Sequence, residues 1–471
     1  MDMRKINEIH FIGVGGIGLS AIARLMKKKG KIVSGSDFAS SLITEKLRKI
    51  GVNVFIGQSE NNISEDVDLV IYTMAVPKNN PELVEAKKLG IRTLTYPEFL
   101  GMVFNEKLGI AVCGTHGKSS TTAMAGLLLD DSGIDPTILV GSIVPKYDSN
   151  LRVGESEYMI IEACEYERAF LHYYPKIIVM NNIELDHTDY YRDIDDFRSA
   201  FEEFVGHLPK GGMLIVNGDD GEISKLKVQM SNQFQSSNIK IISFGLYGNN
   251  NVGGYDVKTE AGKTKFNVKY KGKELGEFAL KVPGIFNVYN SLGVIALGLT
   301  LDIPIDIIKK SLAGYSGIWR RFEIKGEYKP SFAFEKLWRG KSALVISDYA
   351  HHPTAVKVTI EAAKSFYPGR RIFAVFQPHQ HNRTKKLYNN FLKSFGSADL
   401  VILSEIFDVA GREEKEDQNV SSLNLANDIK KIIGEKSGTV IARSEATKQS
   451  HSSGDEQVIA ALPVYPERSR R

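Results

Sequence analysis

Apolar runs of four to eight residues alternate along this chain with amphipathic stretches of helical period, the pattern that strands and covering helices of a parallel α/β architecture produce. Residues 8–37, EIHFIGVGGIGLSAIARLMKKKGKIVSGSD, predict a strand, a glycine turn, an amphipathic helix and a second strand ending at Asp37. DLVIYTMAV at 68–76 predicts a buried strand, and NNPELVEAKKLG a capped helix closed by Gly90. A first domain is therefore expected over 1–107. The apolar run Ile110–Cys113 restarts the pattern and opens a second domain, expected over 108–318. Within it, alternation in KFNVKYKGKELGEFALKVPG predicts antiparallel strands with glycine turns, followed by a helix in NVYNSLGVIALGL. RRFEIKG, SALVISD and RIFAVFQ mark a third α/β domain over 319–436. Residues 437–471 lack clean periodicity and end in a Ser/Arg cluster, so an atypical, disordered tail with no further strand is expected.

Composition narrows the classes. A chain of 471 residues with 42% hydrophobic and 25% charged positions suits two or three globular domains. A net charge of +4 over that length argues for small-molecule partners, with no nucleic-acid or membrane surface. No apolar run approaches the roughly 18 residues that span a bilayer, and the chain enters its glycine turn by Gly13 without a signal-peptide pattern, so a cytoplasmic protein is expected. The two cysteines, Cys113 and Cys164, cannot form a disulfide framework and are expected as buried free thiols.

The chemistry is concentrated in GTHGKSST at 114–121, directly after the apolar run. Backbone N–H groups of such a turn converge on phosphate oxygens, Lys118 supplies a point charge, and the Ser119 hydroxyl is placed to ligate Mg²⁺. The glycine that a Walker A box carries five residues before Gly117 is Val112 here, and Gly114 stands in its place. The competing reading is an ordinary Gly/Ser/Thr turn before a helix. Gly13, Gly15 and Gly18 form a G-x-G-x-x-G turn in the strand-to-helix context that a diphosphate or dinucleotide site needs, with Asp37 about 20 residues on; a tight turn without a ligand is the alternative. MIIEACEYE leaves Glu162 at a strand end, where a carboxylate serves either structure or a metal. IIVMNNIELDHTDYY brings out His187, which taken singly reads as a surface or capping histidine.

Taken together and in order, HFIGVGGIG, GSD, GTHGKSSTT, NIELDH, RRFE, DYAHHPT and FQPHQHNRT resemble the Mur ligases, ATP-dependent amide-forming enzymes of peptidoglycan precursor synthesis, over about residues 8–430. The resemblance implies a three-domain α/β fold: a Rossmann-like N-terminal domain, a central P-loop-type ATPase domain and a C-terminal Rossmann-like α/β domain. It is nearest to the step that joins L-alanine to the lactyl carboxylate of UDP-N-acetylmuramate through an acyl phosphate, with ATP and Mg²⁺. Gly13, Gly15, Gly16, Gly18 and Asp37 would then engage the UDP-sugar. Gly114, Thr115, His116, Gly117, Lys118, Ser119 and Ser120 would cradle the ATP phosphates, with Ser119 and Glu162 at one Mg²⁺ and His187 at a second. Asn290 falls where the family contacts adenine, although Phe286 replaces the usual His of that motif. Arg321 and Asp348 would reach ATP from the third domain, which implies that domain closure assembles the site. Without the resemblance, a surface cation is the lesser competing reading of Arg321, and a helix N-cap is an equal competitor for Asp348.

His351, His352, His379 and Arg383 would form the amino-acid side, where the Arg383 fork matches a carboxylate in two hydrogen bonds. Gln380 stands where many relatives carry Arg, and Glu202 where later enzymes of the family carry a modified Lys. Residues 327–344 are longer than the usual hairpin, with no role that the sequence supplies. A ligase of the same fold that recycles UDP-muramate with a preformed tripeptide shares nearly every motif. A folate-polyglutamylating enzyme shares the ATP loop without needing the GVGGIG domain. An NAD-dependent protein leaves GTHGKSS and NIELDH unexplained, and a nucleotide-binding homologue inactivated by its altered C-terminus is the non-enzymatic reading.

Overall fold

In the computed structural model, which describes residues 3–260, 262–328, 342–408, 419–433 and 439–442, the chain opens with five short parallel strands. These are β1 (Glu8–Ile12), β2 (Ile32–Asp37), β3 (Asn53–Ile56), β4 (Leu69–Tyr72) and β5 (Arg92–Thr95), in the order β3-β2-β1-β4-β5. The order reverses direction beside β1, and ligands of open parallel sheets bind at the carboxyl ends next to such a reversal. The GVGGIG turn lies at that point, between β1 and the helix Ile17–Lys28. The strand expected over 68–76 is shorter than its apolar run: β4 stops at Tyr72, and the Val76 amide bonds back to the Thr73 carbonyl at 3.0 Å in a turn. The helix expected from NNPELVEAKKLG is Pro81–Lys88, where Asn80 accepts the Glu82 and Leu83 amides and Pro81 fills the first turn.

The next ten strands form one sheet. They are β6 (Leu108–Cys113), β7 (Thr137–Val144), β8 (Ser149–Arg152), β9 (Tyr158–Glu162), β10 (Ile177–Met180), β11 (Met213–Asn217), β12 (Lys240–Gly245), β13 (Val252–Glu260), β14 (Lys263–Tyr270) and β15 (Lys273–Leu280). Their order is β15-β14-β13-β12-β11-β10-β6-β9-β7-β8. Only β7–β8, β13–β14 and β14–β15 pair antiparallel, the last as the glycine-turn hairpin expected from the alternation. β6, β9 and β10 are adjacent, so the residues following each emerge at one edge.

One apolar core joins the two sheets. Phe11 on β1, Ile22 on the helix Ile17–Lys28, Phe99 and Phe104 on the helix Tyr96–Phe104, Phe170 in the short helical segment Tyr166–His172, and Phe201 and Phe204 on the helix Ile194–Val205 are all buried in it. Arg24 adds a polar tie, donating to Ser149 Oγ at 2.6 Å, and Asn150 Nδ2 donates to the Ile17 carbonyl at 2.9 Å.

β16 (Glu323–Tyr328) and β17 (Ala343–Ser347) pair antiparallel. They belong to the same compact unit as both sheets, Met1–Tyr349, where the expected third domain was drawn from 319. The reason is local: Trp319 donates its amide to the Ile143 carbonyl at 3.0 Å, and its own carbonyl accepts from Ser142 Oγ at 2.6 Å, which fastens the segment to β7. Residues 329–341 of the longer hairpin lie outside the described residues.

The second unit starts at Ala350. Its helix Pro353–Phe366 precedes three parallel strands, β18 (Phe373–Phe376), β19 (Leu400–Leu403) and β20 (Thr439–Ala442), in that order. Phe376, Phe391, Phe395, Leu403, Leu425 and Ile429 make its core. β20 corrects the expectation of no strand beyond 437. TVIA is a short β-branched run that pairs along its whole length with β19, and four residues show too little periodicity to be read alone. The other residues expected as tail, 437–438 and 443–471, lie outside the described residues.

Candidate active site

The phosphate loop turns between β6 and the helix Lys118–Asp131, with Gly117 at the helix N-cap in the left-handed region, φ +81°. A Cβ there would stand 2.3 Å from Asn290 Oδ1 and 2.9 Å from Asn181 Nδ2, so this position admits glycine alone. Both asparagines are buried. Asn290, expected at the adenine, thus sits under the loop, with its amide donating to Asn287 Oδ1 at 3.2 Å.

The segment after β10 buttresses the loop from the other side. Asn182 Oδ1 accepts the His116 amide at 2.8 Å, Asn181 Nδ2 donates to Thr121 Oγ1 at 3.0 Å, and Thr115 Oγ1 donates to the Glu184 carbonyl at 2.7 Å. The His116 ring and the Glu184 carboxylate meet at 2.8 Å.

Lys118 Nζ donates to the carbonyls of Gly114 (2.6 Å) and Thr115 (3.2 Å) and pairs with Glu165 Oε1 at 2.8 Å. Burial works against the ammonium, but the surrounding groups, Glu165 foremost and Glu162 among them, together outweigh it and hold the lysine pKa above its ordinary value. Burial likewise works against Glu165, and Lys118 with His187 reverses the balance, keeping that carboxyl below its ordinary range. His187 Nε2 lies 3.6 Å from the same Glu165 oxygen. Its backbone is left-handed, φ +50°, its amide donates to Asp186 Oδ1 at 2.7 Å, and its ring packs on Tyr166 at 4.8 Å between centroids. Tyr191, itself buried, donates its hydroxyl to the Glu165 carbonyl at 2.5 Å.

Glu162 ends β9, as expected. Its Oε2 accepts from Ser119 Oγ at 3.0 Å, and Oε1 accepts from the Gly141 amide. Burial raises its pKa, against the Gly141 N–H and the Arg321 and Lys118 charges. The structure therefore brings Ser119 to Glu162 and His187 to Glu165. Glu165, which joins Lys118 and His187, is the member of this cluster that sequence reasoning missed, although EACEYE places it three residues beyond Glu162. Its Oε2 is buried and has no hydrogen-bond partner among the described residues. That oxygen belongs to the carboxylate that meets Lys118 and His187, while Glu162 meets Ser119 on the same loop, and carboxylate, hydroxyl and imidazole donors of this kind suit a hard divalent cation.

Arg321 lies between two left-handed residues, Arg320 (φ +56°) and Phe322 (φ +48°), with its guanidinium 5.2 Å from the Tyr349 ring centroid. Asp348 Oδ2 accepts the Phe322 amide at 2.7 Å and so fixes the RRFE turn. The helix-cap alternative for Asp348 is overturned, because His352 caps Pro353–Phe366, its Nδ1 accepting the Thr354 amide at 3.3 Å. Arg321 and Asp348 share the compact unit of the phosphate loop.

At the N-terminal turn, the Gly13 and Val14 amides donate to the Ser36 carbonyl at 2.8 and 2.9 Å, and Gly15 donates to Asp37 Oδ2 at 2.9 Å. A Cβ on Gly15 would meet that Asp37 oxygen at 2.7 Å. Gly16 caps the helix Ile17–Lys28, and Gly18 faces the Tyr96 ring.

In the second unit, Arg383 is buried and its Nη1 lies 3.3 Å from His379 Nδ1, while the His351 ring is 6.0 Å from that of His379. His352 is buried and caps the helix Pro353–Phe366. Glu202 is 3.6 Å from Arg198 on its own helix. Cys113 is buried as expected, but Cys164 is exposed, since β9 ends at Glu162 and the thiol falls in the following loop. No described helix is long and apolar enough to cross a membrane.

A phosphate-cradling turn backed by strand-end carboxylates and a histidine, beside a separate glycine-turn sheet, defines a nucleotide-dependent ligase architecture, and the chain belongs to the Mur ligase family. Models of that family match in sequence order: the catalytic domain over 8–108, the middle domain over 112–298 and the glutamate ligase domain over 334–462. The chain is 39% identical over 426 residues to a UDP-N-acetylmuramate–L-alanine ligase of Sulfurihydrogenibium sp., covering 90% of this chain and 88% of that protein. It is 41% identical over 424 residues to the ligase of the same name from Clostridium novyi, covering 90% and 87%. The solved UDP-N-acetylmuramate-alanine ligase of Thermotoga maritima superposes with TM-score 0.74 at 27% identity, over 93% of this chain and 90% of that one.

Proposed function

We propose that this chain joins L-alanine to the lactyl carboxylate of UDP-N-acetylmuramate with cleavage of ATP, a step of peptidoglycan precursor synthesis that takes place in the cytoplasm. The observation that carries the reading is the pairing of Lys118 with Glu165 and of Ser119 with Glu162 on one phosphate loop, in a chain about 40% identical to ligases of that name. A carboxylate repels an amine nucleophile and has no adequate leaving group, so it must be activated. The lactyl carboxylate oxygen attacks the γ-phosphorus, the bond to the β-phosphate bridging oxygen breaks, and ADP leaves behind an acyl phosphate. The alanine amine then attacks the acyl carbon, phosphate departs, and the amine proton passes to solvent.

The turn at Gly13, Gly15, Gly16 and Gly18, braced by Asp37, holds the UDP part. Lys118, with the backbone amides of 114–120, gathers the ATP phosphates, and Arg321 adds charge at the γ-phosphate; positioning and fixed charge supply most of the acceleration. Asn290 borders the nucleotide, and Asp348 keeps Arg321 in place through the Phe322 amide. Mg²⁺ held by Ser119, Glu162, Glu165 and His187 would offset the charge that develops on the transferred phosphoryl group. In the second unit, Arg383 with His379 takes the alanine carboxylate, with His351 beside them, and His352 shapes the strand-to-helix turn that carries His351.

Hydroxylamine supplied in place of alanine tests the intermediate. A hydroxamate of UDP-N-acetylmuramate forming only with ATP present is expected; ADP release without any hydroxamate would overturn the acyl-phosphate step.

A further inference from the structure

Beneath the N-terminal glycine turn lies a buried polar cluster that none of the roles above uses. Glu82, the second residue of the helix Pro81–Lys88, is fully buried, as are His10 on β1 and Ser36 on β2. Ser36 Oγ donates to Glu82 Oε2 at 2.6 Å, and Asn62 Nδ2, on the segment after β3, donates to Glu82 Oε1 at 2.5 Å. His10 Nε2 lies 3.8 Å from Oε1, and His10 Nδ1 meets Ser34 Oγ at 2.9 Å. Asn62 also donates to the Gly57 carbonyl at 3.2 Å, and the Gly57 amide donates to the Asp37 carbonyl at 2.9 Å. One carboxylate thus gathers the end of β2 and the chain following β3 onto the helix that follows β4, and the helix N-terminus favours its charge.

A fully buried carboxylate is costly to fold around unless every acceptor site is filled, and an apolar residue would pack this position more cheaply. What the charge adds is geometry. Ser36 is the link: its hydroxyl is held by Glu82, while its carbonyl accepts both the Gly13 and Val14 amides, and the next residue, Asp37, accepts the Gly15 amide. The path of the glycine turn is therefore anchored through Ser36 and Asp37. Burial alone would raise the Glu82 pKa, but the His10 ring, the Ser36 hydroxyl and the Asn62 amide together lower it, so the carboxylate stays charged beneath the turn.

We propose that Glu82 is a positioning residue for the nucleotide-sugar site, acting through Ser36 to fix the glycine turn that receives the UDP diphosphate. This rests on the reading that the GVGGIG turn binds the nucleotide sugar. The test is steady-state kinetics and calorimetric binding of UDP-N-acetylmuramate on the full chain for Glu82→Ala, Glu82→Gln and Ser36→Ala. Leu83→Ala is the packing control, a buried neighbour on the same helix whose side chain sits in a separate apolar cluster.

Both Glu82→Ala and Ser36→Ala are expected to weaken nucleotide-sugar binding and raise its KM about tenfold, with kcat and the KM for ATP within about twofold. Glu82→Gln, which keeps one acceptor, is expected to recover part of the loss. Ser36→Ala removes a single hydroxyl and keeps the test open if Glu82→Ala does not fold. Unchanged binding in folded Ser36→Ala and Glu82→Gln overturns the proposal, as does an equal rise in KM for Leu83→Ala. Asp37→Ala separates the two levels of the argument: if it too leaves nucleotide-sugar binding intact, the assignment of the turn to the UDP-sugar has failed, and not only the role of Glu82.

Discussion

At the scale of single residues, the site turns on charges that hold one another in place. Lys118 is aimed by Glu165 and two loop carbonyls, so Lys118→Ala is expected to lower kcat about 10²–10³-fold, as removal of a fixed transition-state charge does. Glu165→Gln keeps the shape but loses the charge that Lys118 and His187 share; a fall in kcat/KM of about 10–100-fold with a raised Mg²⁺ requirement is expected from a magnesium titration of initial rates. Gly117→Ala drives a methyl into Asn290 at a left-handed backbone position. Chemical denaturation should show a loss of roughly 1–3 kcal/mol together with lost ATP binding. Arg383→Lys should raise the alanine KM about tenfold or more and leave the nucleotide-sugar KM unchanged, since an ammonium cannot reproduce the two-bond fork.

Residues whose chemistry depends on local spacing were legible at this scale: the loop from Gly114 to Ser120 follows from strand, glycine and lysine order alone. Glu165 was not, because its role comes from meeting Lys118 and His187, which lie 47 and 22 residues away in the chain.

At the scale of elements, period and capping predicted the helices and strands that carry the motifs, and the misses among them have physical causes. β4 loses its last residues because Thr73–Val76 satisfies its backbone within a turn. β20 was passed over because its four residues become a strand through pairing with β19, a partner the sequence does not show. The buried Glu82 was invisible for the same reason: in PELVEAKK it reads as a solvent-facing first-turn acid, and only the fold closes Ser36, His10 and Asn62 around it.

That cluster has a pH consequence. The folded-state pKa of Glu82 is lowered from 4.5, so its contribution to stability is complete above pH 4.5 and is lost as the pH falls through the depressed value. Thermal melts taken downward from pH 4.5 should fall more steeply for the wild-type chain than for Glu82→Gln.

At the scale of the whole molecule, the sequence resolves α/β units by their restarts, yet the compact units fall differently. Both glycine-turn sheets and the RRFE hairpin share Met1–Tyr349, because a continuous aromatic core and the Arg24, Asn150 and Ser142 bonds bind them together, and such contacts leave no periodic trace. The second unit holds Arg383 and His379. One chain couples ATP cleavage to joining a nucleotide sugar and L-alanine. Phosphate release from ATP by the purified chain, with UDP-N-acetylmuramate and with L-alanine, glycine, L-serine or the tripeptide in turn, tests it most directly. Release that requires both the nucleotide sugar and L-alanine is the predicted result; release with the tripeptide but not with L-alanine, or none with any acceptor from folded protein, would contradict it.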